Sequence, residues 1–156
     1  MADDDVQPIP EGYHTLTPSL TVEGAEAAID YYRRAFGAVE VSRSAAPDGV
    51  RIFHAEVRIG DTTLMLNDPF PEMGGTPANV AGGHPVAFWL YVADVDAVHR
   101  AAVAAGGTAT SDVQTQFWGD RSGSLRDPFG FDWTIATRVE TVSEEERRRR
   151  VAAFSS

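Results

Sequence analysis

The sequence predicts an α+β fold built from two tandem modules, each a strand, a helix and two or three further strands, joined as a curved half-open barrel. Three observations predict it. Apolar residues alternate with period two over several short stretches, and over two longer stretches they recur at helical spacing. The same order of patterns runs through both halves, "SLTVEGAEA" and "LYVADVDAV" sharing one hydrophobic pattern and an acid following the valine, which marks a duplication of about 65–70 residues. A helix can cover only one face of each small sheet, so the alternate polar residues must line a concave interior suited to a small molecule.

Residues 1–12 read as a flexible acidic arm, and residues 13–70 as the first module. In "TLTPSLTV" (15–22), Leu16, Leu20 and Val22 face one way and Thr17, Ser19 and Thr21 the other, as in a strand. "EGAEAAIDYYRRAFG" (23–37) places Ala28, Ile29, Tyr32 and Phe36 at helical spacing and stops at Gly37. "RIFHAEVRIG" (51–60) and "TTLMLND" (62–68) are two strands around a Gly-Asp turn. Residues 71–84, rich in Pro and Gly, form a linker loop. The second module spans 85–140: a strand and an amphipathic helix in "PVAFWLYVADVDAVHRAAVAAGG", then strands around "GDRSGSLRD" and "FDWTIAT". Residues 141–156 form a C-terminal helix opened by a capping box of Ser143 and Glu146.

Composition narrows the function. A formal charge of −10 argues against nucleic acid, which needs a basic face. The dense basic run, Arg147–Arg150, follows three glutamates and reads as a solvated helix face. The absence of cysteine excludes disulfides, thiolate nucleophiles and zinc–thiolate sites. No apolar run approaches the roughly 20 residues of a membrane span, and the acidic N-terminus is unlike a signal peptide, so a cytoplasmic protein with no membrane partner is expected.

The paired modules together with "YYRRAFGA", "HAEVRIGD", "LYVADVDAV", "QFWGDRSGSLRDPFGFDW" and "TIAT" resemble the vicinal oxygen chelate superfamily, and within it the glyoxalase/bleomycin-resistance-like branch. The resemblance covers roughly residues 12–140. It implies a tandem βαβββ pair, the glyoxalase/bleomycin resistance/dioxygenase fold, usually a homodimer. It also implies four metal-ligand positions, which fall on Thr17, Met65, Ala87 and Thr134. A hydroxyl, a thioether or a methyl cannot replace imidazole and carboxylate donors, so no metal and no other cofactor is expected.

Among the remaining candidates, His54 and Glu56 stand two apart on one strand and share a face, with Arg58 following. They suit general base work, ligand contact or a plain hydrogen-bonded strand face. Trp89 and Tyr91 share a face with Ala87 and offer an aromatic wall, or are ordinary core residues. Trp118, Asp120 and Arg121 cluster at a glycine. Arg121 is either an anion fork or a brace to Asp120 or Asp127. His14 and His84 flank loops and His99 sits on an exposed helix face, all three in solvated or structural roles. The expected ligand contacts are thus Thr17, Ser19, Met65, Trp89, Tyr91, Trp118, Arg121 and Thr134, with His54 and Glu56 as catalytic candidates. Two functions compete. One is a metal-free binder of a small aromatic or amphipathic compound, sequestering a drug or metabolite. The other is an enzyme of lyase, isomerase or dioxygenase type, using His54 and Glu56 or a rearranged metal site.

Overall fold

A computed structural model of the chain describes residues 7–73 and 86–154. Its contacts divide the chain into two compact units, Met1–Ala78 and Asn79–Ser156. Each unit runs βαβββ, and the second ends in α3 (Glu144–Phe154).

In the first unit, β1 (Ser19–Thr21), α1 (Ala25–Phe36), β2 (Val39–Ala45), β3 (Ile52–Ile59) and β4 (Thr62–Asn67) form a sheet of order β1-β4-β3-β2. β1 lies parallel to β4 and the other pairings are antiparallel. The first strand is shorter than the alternation predicts, and Leu16 is 86% exposed where a core position was expected. Pro18 has no N–H to donate, although its carbonyl still accepts from Met65 at 3.0 Å. The helix buries Ala28, Ile29, Tyr31 and Tyr32, and the covered sheet face buries Ala55, Val57, Leu64 and Leu66. Gly37 ends the helix in the left-handed region, its N–H reaching the Arg33 carbonyl at 3.1 Å. The helix start is capped from a distance. Asp68, just beyond β4, accepts from the Gly24 and Ala25 N–H groups on Oδ1 and from Ile52 N–H on Oδ2.

The second unit comprises β5 (Phe88–Tyr91), α2 (Val95–Ala104), β6 (Thr108–Thr115), β7 (Asp120–Arg126) and β8 (Asp132–Arg138), in sheet order β5-β8-β7-β6. Here the helix cap is local: Asp94 Oδ1 accepts from Ala97 N–H at 3.0 Å. Leu125, Trp133, Ile135, Val95 and Ala102 build the core. His99 departs from the expected exposed face. It is buried against β7, its Nε2 3.2 Å from the Ser124 carbonyl, over a glycine (Gly123) that leaves room for the ring. At α3, Ser143 Oγ accepts from Glu146 N–H at 3.2 Å, while the Glu146 carboxylate turns to Arg150 and does not close the box.

β2 and β6 carry no clear sequence signal. Every residue of β2 is exposed and β6 has only Val113 half-buried, so neither strand alternates between core and solvent.

Candidate functional site

Each sheet has one face covered by its helix and one uncovered, and the uncovered faces carry most of the candidate residues. On the first, the register aligns Ser19, Met65, Glu56 and Ser42 in one row across four strands. Thr17 lies before β1 and is half-buried. His54 Nε2 sits 3.1 Å from Glu56 Oε1, both side chains partly buried. The neighbouring Tyr13 hydroxyl and then His54 hold the Glu56 carboxyl below the usual carboxylate range, against an upward push from burial. The Tyr13 hydroxyl is itself buried without a well-aligned hydrogen bond. Burial first, and the Glu56 carboxylate second, push it up to about 12. The segment bearing Tyr13 is pinned where Thr63 Oγ1 donates to the Gly12 carbonyl at 2.8 Å and His14 Nε2 meets the Asp61 carbonyl at 3.1 Å.

On the second uncovered face, Trp89, Thr134 and Ser124 share one row, and Tyr91, Ala136 and Ser122 the next. Thr134 Oγ1 and Ser124 Oγ are 2.9 Å apart. The Trp89 ring centroid lies 6.4 Å from those of both Tyr91 and Trp118. Beneath them Asp120 is 1% exposed. Its Oδ2 accepts from the Tyr91 hydroxyl at 2.9 Å and Trp118 Nε1 at 3.2 Å, and its Oδ1 from Arg138 Nε at 2.5 Å. Burial is the largest influence on this carboxyl and pushes its pKa up. Arg138, Tyr91 and Trp118 together outweigh it and hold the group below its ordinary value. Trp89, Tyr91, Trp118, Asp120, Arg138 and Arg147 line an open cavity of about 390 Å³.

Arg121 stands apart from this set. It lies on the helix side of the sheet, paired through two hydrogen bonds of 2.8 and 2.7 Å to Asp96 of α2, and not to Asp120 or Asp127. Asp127 instead ties its own turn, accepting from Phe129 N–H, Phe131 N–H and Trp133 Nε1. His84 lies outside the described residues.

The donor set for a metal is poor. The register puts Ser19, not Thr17, beside Met65, and Trp89, not Ala87, beside Thr134. None of these six side chains carries an imidazole or a carboxylate. Among the described residues no three His, Cys, Asp or Glu side chains converge as a metal site would require. Tyr13, Arg138 and Arg147 were absent from the sequence candidates. The groups that Tyr13 and Arg138 meet are remote in the chain, and Arg147 belongs to the basic run read as a solvated helix face, so no local pattern announces any of the three.

The profile of the Glyoxalase/Bleomycin resistance protein/Dioxygenase superfamily matches residues 13–135. An uncharacterized protein of Mycobacterium bovis is 44% identical over 145 residues, covering 90% of this chain and 92% of its own. TioX from Micromonospora sp. ML1 superposes with a TM-score of 0.63 at 27% identity, over 81% of this chain and 99% of its own. The fosfomycin resistance protein FosX from Listeria monocytogenes shares the fold, with a TM-score of 0.61 at 12% identity over 86% of this chain and 94% of its own. Among the described residues no helix is long and apolar enough to cross a membrane.

Proposed function

The chain belongs to the glyoxalase/bleomycin resistance protein/dioxygenase superfamily, and we propose that within it this protein is a metal-free binder of a small aromatic or amphipathic compound, sequestering a drug or metabolite. The observation that carries this reading is the aromatic cavity of the second unit. Trp89 and Tyr91 are 50% and 55% exposed, although apolar rings of this size are ordinarily covered, and they stand over a hydrogen-bonded, buried Asp120. Such a cavity presents ring faces for stacking and a rigid polar floor for orientation. The uncharged side chains at the family's metal positions support binding without a metal.

Calorimetric titration with the uncharged planar probe 2-naphthamide tests it. Saturable binding is expected, weakened about two- to tenfold by Trp118→Ala. Elemental analysis after metal supplementation is expected to find no stoichiometric Zn, Fe, Mn or Ni. A metal held at one ion per chain, or no binding of the probe, would overturn the reading.

One observation favours the enzymatic alternative. Glu56, held ionised, is a weakened base but a good acceptor, so it suits orienting the His54 ring for proton transfer. His54→Ala separates the two functions. For a binder whose ligand sits in the second unit's cavity, affinity for 2-naphthamide is unchanged, because His54 does not line that cavity. For an enzyme with His54 as base, turnover falls by a factor on the order of 10²–10⁴ while binding is largely kept.

A further inference from the structure

Four arginines in succession, Arg147 to Arg150, run through α3, and they are not equivalent. Arg148 pairs with Glu144 and Arg149 with Glu146, and both side chains are more than three-quarters exposed, at 78% and 77%. Arg150 is only 29% exposed. It spans Glu140 and Glu146 and donates to the Phe117 carbonyl at 2.9 Å. Arg150 therefore fastens α3 beside the loop that carries Trp118. Arg147 lies three residues before it, on the same helix face, and lines the aromatic cavity. Among the described residues its guanidinium has no ion pair and no side-chain hydrogen bond.

The charges around the cavity do not cancel. Asp120 and Arg138 neutralise one another at 2.5 Å, and Asp120 is buried beneath its three donors, so it presents little to attract a cation. Arg147 remains as one uncompensated positive charge beside three aromatic rings. The chain as a whole is strongly acidic, at −10, but charges farther off than a Debye length of about 8 Å are largely screened. The local guanidinium thus decides the sign of the ligand.

We propose that the cavity selects a planar aromatic carboxylate, its ring against Trp89 and Trp118 and its anionic group on Arg147. This rests on the reading of the site as an aromatic binder and adds the ligand's charge to it. Arginine is suited to the role because its planar fork matches a carboxylate in two parallel hydrogen bonds.

The test compares anionic 2-naphthoate with uncharged 2-naphthamide, which share one ring system, by calorimetry on the full chain. The wild type is expected to bind the carboxylate more tightly. Arg147→Gln should weaken 2-naphthoate about three- to thirtyfold, between the effect of an exposed ion pair and that of a buried charged hydrogen bond, and weaken 2-naphthamide by a clearly smaller factor. Arg148→Gln, on the solvent face, should change neither. A melting temperature close to the wild type's checks that each variant is folded. Equal affinities for the two probes in the wild type, or a loss in Arg147→Gln that is the same for both, would overturn the carboxylate proposal and leave the aromatic binder standing. Failure of both probes to bind would overturn both.

Discussion

Asp120 is a buried carboxylate that stays charged because three donors from three different parts of the second unit converge on it. Replacing it with Asn keeps the shape and removes the charge. The amide can accept from Tyr91 and Trp118, but its NH₂ then opposes the Arg138 donor. A loss of about 1–3 kcal/mol is expected in urea unfolding at neutral pH. The folded-state pKa of Asp120 is lowered, so its contribution is present above the ordinary carboxylate range and disappears as pH falls through the lowered value. The gap between wild type and Asp120→Asn should therefore narrow in acid. A gap independent of pH would show that shape, not charge, is what Asp120 supplies. Such a residue is only half legible in a sequence. That Trp89 and Tyr91 share a face follows from alternation alone. The Asp120–Arg138 pair does not, because it exists only through the β7–β8 register that aligns residues 18 apart. The Arg121–Asp96 pair is hidden for the same reason, across 25 residues.

The loop before β7 is built around Gly119, at φ 102°, whose carbonyl accepts from both Val139 and Glu140 N–H at 3.0 Å. A Cβ there would collide with the Glu140 carbonyl oxygen, which is backbone and cannot swing aside, and would press on Val142 at 3.0 Å. Gly119→Ala should cost at least the roughly 1–3 kcal/mol of an overpacked site and, by shifting the loop that holds Trp118, also weaken 2-naphthamide binding. Thermal melting and calorimetry on one variant read both effects. A stable variant with full affinity would mean that the loop does not position the ring. Strands and helices whose two faces differ in burial were legible: α1, α2, β3, β4, β5 and β8 all carry the period of their geometry. β2 and β6 were not, since strands exposed along their length leave no imprint on residue choice.

For the protein as a whole, we propose a homodimer in solution. Among the described residues β2 and β6 end their sheets with unpaired backbone edges, and no residue of β2 is buried. Pairing of copies would protect such edges, and a closed two-fold dimer is the commonest way to do so. Light scattering at micromolar concentration should give twice the chain mass. A monomer mass would overturn the proposal.

The two helix starts differ in a way that sets when each can form. The cap of α2 comes from Asp94, three residues before its donor, whereas that of α1 comes from Asp68, 43 and 44 residues beyond the groups it serves. One helix can complete its first turn from local chain alone. The other must wait for a long loop to close and for β4 to arrive. Asp94→Ala should accordingly slow refolding, while Asp68→Ala should mainly hasten unfolding, a contrast that stopped-flow rates on the two variants would show. On the ribosome the same asymmetry means that α1 emerges without its cap and stays unfinished until the chain has grown past Asp68.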